Sequence, residues 1–374
     1  MKLFLENGTV FGGDAFGYRG DATGEVVFST GMTGYVESLT DPSYSGQILV
    51  CTYPLIGNYG VPSFAAPSHK ATDGHGKASE GRPLPAPFES AKIQIAGLVV
   101  TEYSEHYSHK EAQMSLAAWL KQWKVPALSG VDTRAITKML RERGSMLGVL
   151  GEKEREFIDP NREHLVARVS PKEIRSYGSG RIKLVAVDCG MKENIIRCLV
   201  RTQTEVTRVP WDFDFNALDY DALIVGNGPG DPQMCQATVR HIRRAMQKGK
   251  PILGVCLGNQ LLALAAGAST YKLKYGHRGQ NQPCIERDSG RCYITSQNHG
   301  YSIDASTLSD AWTVWFENAN DGSVEGIRHT TKPWASVQFH PEAAPGPTDT
   351  AWIFDEFIEY VARTAKRRIK ATQV

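Results

Sequence analysis

Residues 254–262 read GVCLGNQLL, which places one cysteine between an apolar run and a helical pattern. The run PILGVC at 251–256 predicts a buried strand, and LGNQLLALAAG at 257–267 predicts the helix after it. Because the carboxyl ends of parallel strands face the ligand crevice of an open sheet, this turn brings Cys256 to that edge. The helix N-terminus favours a thiolate there, and the N–H of Leu257 can point at an oxyanion. The stretch therefore predicts a cysteine nucleophile in an α/β fold.

A buried packing cysteine is the alternative for this stretch taken alone. Free cysteine is among the residues most often found inside proteins, and Cys256 follows an apolar run. Gly254 and Gly258 fit the nucleophile interpretation, because a sharp strand-to-helix turn requires close backbone packing.

The run WASVQF, residues 334–339, supplies a second strand end. His340 follows it directly, and Glu342 comes two residues later. A cysteine nucleophile needs a base, and the base needs an orienting group. An imidazole and a carboxylate on the same edge as Cys256 meet both needs. The alternative, a strand that ends in a proline turn, explains Pro341 but not the cysteine upstream.

The glycine-rich loop GNGPGDP, residues 226–232, follows a third predicted strand. Such a loop can bind phosphate, but this one lacks the third glycine of the dinucleotide fingerprint, and Asp231 would repel an anion. The N–H groups of Gly228 and Gly230 would serve equally well as oxyanion donors. A plain Gly-Pro turn is the remaining alternative.

Strands alternate with helices through the second half of the chain, which predicts βαβ units and a largely parallel central sheet flanked by helices. The first half, residues 1–150, mixes short strand-like runs with helical stretches and predicts a separate mixed α/β domain. We therefore expect an α/β chain of two domains. The other expected segments are a surface loop at 61–90, a linker at 151–181, the second domain at 182–365 with a closing helix at 351–362, and a basic tail at 366–374.

The charge balance gives no electrostatic case for binding nucleic acid or an acidic membrane surface, because 42 Lys and Arg residues face 40 Asp and Glu residues. No run of about 18 apolar residues is present, so we expect no membrane span. Glu6 and Asn7 interrupt the N-terminal apolar residues too early for a signal peptide. Seven cysteines without a CxxC pair favour free thiols and a cytoplasmic location.

Four motifs, in this order, resemble the class I glutamine amidotransferases: GNGPGDP, GVCLGNQLLALAAGA, SQNHGYS and SVQFHPEAAPGP. The first half of the chain is similar to a domain particular to the glutaminase subunit or domain of glutamine-dependent carbamoyl-phosphate synthetase. The runs that carry this likeness are GEVVFSTGMTGYVESLTDPSYSGQILVCTYPLIGNYG and GVDTRAITKMLRERGSMLG. The runs YKLKYGHRGQNQPC and FENANDGSVEGI look closest to the eukaryotic multifunctional pyrimidine-synthesis proteins.

The resemblance implies a glutaminase in which each motif has a role. Cys256 would form a glutamyl thioester. His340 would act as its base and then as the acid for departing ammonia, and Glu342 would orient His340. The N–H groups of Leu257 and Gly228 would form the oxyanion hole. The residues implied to hold glutamine are Ser43, Gly228, Gly230, Leu257, Gln260, Asn298, Gly300 and Tyr301.

Ser43 lies in the first domain, so the resemblance implies a pocket that straddles the domain interface. From the residues alone, the run DPSY at 41–44 predicts only a type I turn. The resemblance also implies glutamine as the substrate and, as the partner, a carbamoyl-phosphate synthetase large subunit or fused domain. That partner would bind ATP, Mg²⁺ and bicarbonate, and we expect no metal or cofactor in this chain. The product would serve pyrimidine synthesis, arginine synthesis or both.

Three rival interpretations stay open at this level. Cys256, His299, His340 and Glu342 have the side chains of a zinc site, although they lack close ligand spacing. A cysteine hydrolase for other γ-glutamyl compounds would share the cysteine and HPE motifs but would not need the first domain. A non-catalytic interaction subunit would leave Cys256 unlabelled by a glutamine-mimicking electrophile.

Overall fold

The computed structural model describes residues 1–63 and 82–372, with side chains as far as residue 365. The strands up to residue 151 are β1 Lys2–Leu5, β2 Val10–Gly12, β3 Asp14–Ala15, β4 Ala22–Ser29, β5 Gln47–Cys51, β6 Val61–Pro62, β7 Gly97–Val100, β8 Ala112–Met114, β9 Ala127–Ser129 and β10 Met146–Gly151. The later strands are β11 Arg175–Tyr177, β12 Ile182–Asp188, β13 Thr204–Pro210, β14 Ala222–Val225, β15 Ile252–Val255, β16 Thr270–Glu286, β17 Cys292–Ile303, β18 Trp312–Asn318, β19 Val324–His329 and β20 Trp334–Val337. The α-helices are α1 Tyr35–Thr40, α2 Leu116–Gln122, α3 Thr133–Arg143, α4 Leu165–Val169, α5 Glu193–Leu199, α6 Gln236–Gln247, α7 Leu257–Ala266 and α8 Trp352–Thr372.

The second half of the chain is built on a ten-stranded sheet, as far as the described residues show. Its strand order is β11-β13-β12-β14-β15-β20-β19-β18-β16-β17. The central strands from β13 to β20 pair in parallel, and the strands at both edges pair antiparallel. The parallel centre delivers the carboxyl ends of β12, β14, β15 and β20 to one edge, as the sequence predicts.

Helices cover both faces of this sheet because its central strands are apolar on both sides. In β12, Val185 and Val187 pack into a core shared with α6 and α7, whereas Leu184 and Ala186 pack into a core shared with α5 and α8. Side chains that alternate between two apolar cores are typical of a parallel sheet buried on both faces. The predicted α/β class is confirmed.

The first half of the chain forms a mixed sheet in the order β2-β1-β10-β4-β5-β7-β9-β3. Strands β4, β5, β7 and β9 are parallel neighbours, and the outer pairs are antiparallel. Helices α1 and α2 pack on one face, and α3 packs on the other. This agrees with the mixed α/β architecture expected for residues 1–150. The exact domain boundaries stay predictions.

The expectation of a surface loop over 61–90 is wrong at both described ends, while residues 64–81 lie outside the described residues. Val61–Pro62 forms β6, which pairs with β8. Phe88 is 1% exposed within the core of the first domain, and Glu89 is 0% exposed. The Pro-, Gly- and Ser-rich composition conceals these two anchors, because a single buried residue produces no periodic pattern.

The segment 151–181 is more ordered than the linker expected from its polarity. It contains helix α4 and strand β11, and β11 pairs antiparallel with β13 at the edge of the second sheet. Leu165, Val166 and Tyr177 are buried. Val166 and Tyr177 pack into the cores of the second domain, although the segment shows no hydrophobic period that would indicate an element in the sequence.

The predicted closing helix extends further than the sequence pattern indicates. Helix α8 continues from Trp352 to Thr372, so most of the expected basic tail belongs to the same helix. Within the residues that the structure describes, no helix combines the length and the apolar character needed to cross a membrane.

Glu89 joins the two halves of the chain through buried polar contacts. Its carboxylate pairs with the Arg197 guanidinium, and Oε2 accepts the Asn194 N–H at 2.9 Å. Arg197 Nη1 also donates to the carbonyl oxygens of Leu84 and Phe88, at 2.8 and 3.1 Å. The segment before β7 is thereby fixed to helix α5 of the second domain.

We predict that Glu89→Ala destabilises the chain by about 3 kcal/mol, because it leaves a largely buried guanidinium without its carboxylate. The melting temperature should fall by several degrees. Glu142→Ala, at an exposed position of α3, is the matched control and should change stability by less than about 0.5 kcal/mol. Equal melting temperatures for the two variants would contradict this account.

Candidate active site

Cys256 occupies a strained turn between β15 and α7. Its φ of 55° and ψ of −104° lie in a region that residues other than glycine rarely adopt. Two glycines make room for the turn. A Cβ on Gly258 would lie 2.0 Å from the carbonyl oxygen of Val225, and a Cβ on Gly254 would lie 2.5 Å from that of Gly258. The close packing predicted for these glycines is confirmed, and the turn presents Cys256 at the carboxyl edge of the sheet.

His340 and Glu342 lie at the same edge, shortly after β20. His340 Nδ1 is 2.6 Å from Glu342 Oε1, and both side chains are buried. The His340 backbone N–H donates to the Ser296 carbonyl at 2.9 Å. His340 Nε2 has no hydrogen-bond partner of good geometry among the described residues, yet it is close enough to Cys256 to respond to the thiolate charge. The fold therefore brings the three predicted residues together.

The electrostatics of the site favour the charged forms of His340 and Glu342. Burial lowers the pKa of His340, but the negative charges of Glu342 and Cys256 outweigh burial, and the net pKa is raised. Burial raises the pKa of Glu342, but the positive charges of Lys192 and His340 outweigh it and lower the pKa to about 2. Glu342 is therefore ionised at neutral pH. Its carboxylate accepts a hydrogen bond from the Nδ1–H of the His340 imidazole.

Lys192 is a further candidate that the sequence analysis missed. Its Nζ lies 3.1 Å from Glu342 Oε1, and the two side chains are 3% and 0% exposed. The ammonium also donates to the backbone carbonyl of Ala343. Lys192 follows β12 at the same carboxyl edge as Cys256. The reasoning from strand ends that identified His340 could therefore have identified this lysine.

One cavity is lined by the cysteine together with every residue that the resemblance assigns to glutamine binding. These residues are Cys256, Ser43, Gly228, Gly230, Leu257, Gln260, Asn298, Gly300 and Tyr301. His340 and Glu342 are not part of this lining, and Glu342 borders a second cavity between the domains. Cys256 therefore faces the pocket, whereas His340 and Glu342 lie behind its wall.

Ser43 reaches the pocket because its turn is bonded to the second domain. Asp41 accepts the Ser43 N–H at 2.9 Å and the side-chain amide of Asn298 at 3.0 Å. Asn227 donates its side-chain amide to Ser43 Oγ at 2.9 Å. The same Asn227 accepts the Lys192 N–H at 2.8 Å. The turn at 41–44 is therefore a structural part of the pocket wall.

Five other lining residues carry no recognisable sequence signal: Glu25, Gln47, Asn161, Lys272 and Arg278. Lys272 of β16 pairs with Glu25 of β4 at 2.8 Å, across the two domains. Burial raises the pKa of Glu25, but the charges of Lys272 and Arg278 outweigh it, and the net pKa is lowered. The Glu25 carboxylate therefore stays charged beside the pocket.

The zinc interpretation lacks geometric support at the cysteine. Among the described residues, the ligand atoms of Cys256, His299, His340 and Glu342 do not form a converging group. His299 directs both ring nitrogens to other partners. The Lys192 ammonium beside Glu342 would also repel a metal ion there.

Two family models match the chain. Residues 185–360 match the model described as glutamine amidotransferase class-I, and residues 3–150 match that of the carbamoyl-phosphate synthase small chain, CPSase domain.

Curated relatives extend over nearly the whole chain. The carbamoyl phosphate synthase arginine-specific small chain of Aspergillus oryzae is 48% identical. The match covers 99% of this chain and 81% of the length of that relative. The multifunctional protein pyr-3 of Neurospora crassa is 49% identical over 96% of this chain, and the multifunctional protein CAD of Squalus acanthias is 50% identical over 96%. The chain spans only 21% and 16% of the length of these two multifunctional proteins.

We predict that His340→Asn slows alkylation of Cys256 by iodoacetamide at neutral pH by at least about tenfold, because the variant lacks the imidazole that can take the thiol proton. Glu342→Gln should slow it less, because the imidazole remains but its pKa falls. The rate is measured by mass spectrometry of the Cys256 peptide. Exposed Cys292 in the same sample is the internal control. Unchanged Cys256 rates in both variants would contradict the electrostatic coupling.

Proposed function

Because the chain belongs to the carbamoyl-phosphate synthase small-chain family and carries a class I glutamine amidotransferase domain, we propose that it hydrolyses glutamine to glutamate and ammonia for carbamoyl phosphate synthesis. One observation carries the proposal. The strained cysteine, with a buried His–Glu pair beside it, opens into a cavity to which both domains contribute.

The chemistry follows from the positions of the three side chains. Cys256 Sγ attacks the side-chain amide carbon of glutamine, and the carbonyl oxygen becomes an oxyanion. Leu257 opens α7, where the first N–H groups have no intrahelical partner, so its N–H can stabilise that oxyanion together with the N–H of Gly228. His340 then protonates the leaving nitrogen, and the C–N bond breaks. Ammonia departs, and a thioester between Cys256 and the glutamyl group remains.

Hydrolysis of the thioester completes the reaction. Water attacks the thioester carbon while His340 Nε2 accepts a proton from it, and the C–S bond breaks to release glutamate. Glu342 holds Nδ1 of His340 through both steps, so that Nε2 always faces the reacting atoms. Lys192 keeps Glu342 ionised and thereby supports this orientation.

The ammonia would pass to a carbamoyl-phosphate synthetase, as a separate large subunit or as a fused domain. The names of the relatives include both a small chain and multifunctional proteins, and this supports either arrangement. ATP, Mg²⁺ and bicarbonate would then be bound by the synthetase, with carbamoyl phosphate as the product for pyrimidine or arginine synthesis. Docking of the synthetase is the role that we propose for the first domain beyond its contribution of Ser43.

We predict that Cys256→Ser lowers glutamine-dependent carbamoyl phosphate synthesis by at least about a thousandfold in the complex with the synthetase. Synthesis from added ammonia should persist, because the thiolate acts only in amide cleavage. Cys292→Ser, which changes an exposed thiol, is the matched control and should retain both activities. Glutaminase activity retained by Cys256→Ser would refute the assignment of the nucleophile.

We further predict that the synthetase, supplied with bicarbonate and ATP, raises the glutamine turnover of this chain by at least about tenfold, a coupling of about 1.4 kcal/mol. In water at neutral pH, ammonia is mostly protonated, and the ammonium ion is not a nucleophile. Transfer inside the complex would keep ammonia in its reactive, unprotonated form. The measurement is ammonia and glutamate release over a range of synthetase concentrations. Fast hydrolysis that is indifferent to the synthetase would favour the rival cysteine hydrolase.

A further inference from the structure

A second group of chemically active side chains lies on the antiparallel part of the second sheet. His277 on β16, His299 on β17 and Glu325 on β19 each offer one ligand atom, and these atoms all lie within 4.8 Å of one another. The three residues are 8%, 5% and 0% exposed. The proposed glutaminase chemistry uses none of these three side chains.

In each imidazole, the ring nitrogen that points away from the cluster donates a hydrogen bond. His277 Nε2 lies 2.8 Å from Asp321 Oδ2, and His299 Nδ1 lies 2.9 Å from the carbonyl oxygen of Tyr301. A carboxylate and a carbonyl can only accept, so these two nitrogens carry protons. In the neutral rings, Nδ1 of His277 and Nε2 of His299 then direct lone pairs into the cluster. Metal-ligating histidines are typically oriented by a carboxylate or a carbonyl in this way.

The carboxylate of Glu325 has unused capacity in the cluster. Its Oε1 lies 3.4 Å from His277 Nδ1 and 4.0 Å from His299 Nε2. Asn318 Nδ2 donates to Oε1 at 2.9 Å and lies 3.5 Å from His277 Nδ1. Oε2 is buried and has no hydrogen-bond partner among the described residues. A buried carboxylate oxygen without a partner is costly unless a cation or a proton approaches it.

Gln297 adds a fourth acceptor. Its Nε2 donates to Cys284 Sγ at 3.2 Å and to Thr295 Oγ1 at 3.1 Å. This orientation directs Oε1 toward His299 Nε2, at 3.0 Å. Because an amide oxygen can only accept, this distance requires either a proton on His299 Nε2 or a cation bound beside it.

We propose that this cluster binds one Zn²⁺ ion through His277 Nδ1, His299 Nε2 and the Glu325 carboxylate, with Gln297 Oε1 as the nearest fourth donor. Two imidazoles and one carboxylate in a closed site suit zinc rather than calcium or magnesium. Tetrahedral bonds of about 2.0–2.1 Å require ligand atoms about 3.4 Å apart, so the 4.0 Å separation of His299 Nε2 from Glu325 Oε1 would close by about half an ångström.

The ion would have a structural role beside the glutamine pocket. It would join strands β16, β17 and β19 through side chains, in addition to their backbone pairing. His299 itself lines the pocket, together with its chain neighbours Asn298 and Gly300. The site differs from the sequence expectation of a chain without metal, because the ligands come from three strands and have no short spacing.

The test is the metal content of the full chain, purified after expression with added zinc and washed with a weak chelator. We expect about one zinc per chain by elemental mass spectrometry. Glu325→Gln should lose the ion. Glu317→Gln, on the neighbouring strand β18 and paired at the surface with Arg287, is the matched control and should keep it. Cys256→Ser should also keep it, and loss in that variant would place zinc at the nucleophile and overturn the proposal.

A measurement on the unmodified chain guards against variants that fail to fold. After removal of zinc, Co²⁺ should restore one equivalent of metal with the intense visible bands of a tetrahedral site. Asp321→Ala should weaken metal binding by about 10- to 100-fold, because it removes the acceptor that orients His277. A folded chain that binds no stoichiometric zinc or cobalt would show that protons satisfy the cluster, and the proposal would be wrong.

Discussion

The buried ion pair between Lys192 and Glu342 is the contact on which the rest of the site depends. Both side chains are almost completely buried, so each charge depends on the other for its stabilisation. Glu342 in turn fixes His340, and His340 faces the cysteine. Through its backbone N–H, the same lysine binds Asn227, which holds the serine of the first domain. One residue therefore connects the orienting carboxylate to the shared wall of the pocket.

The division of the pocket between two domains constrains how the chain can work. Ser43 reaches the cavity through a turn of the first domain, while Asp41 beside it binds Asn298 of the second. A change in how the domains meet would therefore alter the proposed glutamine pocket directly. Two ion pairs, Glu25–Lys272 and Glu89–Arg197, also cross this interface. They fix the position of one domain relative to the other. If the synthetase docks on the first domain as proposed, these contacts would transmit its effect to the chemistry in the second domain.

The sequence predicts best those features that depend on local order along the chain. The strand, turn and helix around Cys256, and the strand that ends before His340, follow from short patterns and from the geometry of parallel sheets. The pairing of Lys272 with Glu25 could not be predicted, because it joins strands far apart in the chain. The anchors Phe88 and Glu89 were hidden by a composition typical of loops. Tertiary contacts of single residues leave no periodic signal.

The backbone conformation of Cys256 lowers the stability of the chain at the residue that the proposed activity requires. A positive φ of 55° costs a residue with a side chain of order 1–3 kcal/mol, whereas glycine adopts it readily. A Cys256→Gly change would therefore relieve backbone strain and remove the thiol at the same time. Inactive descendants of such a chain could be at least as stable as the active form, and folding alone gives no protection against them. Folding therefore gives no reason for a cysteine at this position, whereas the proposed thioester chemistry does.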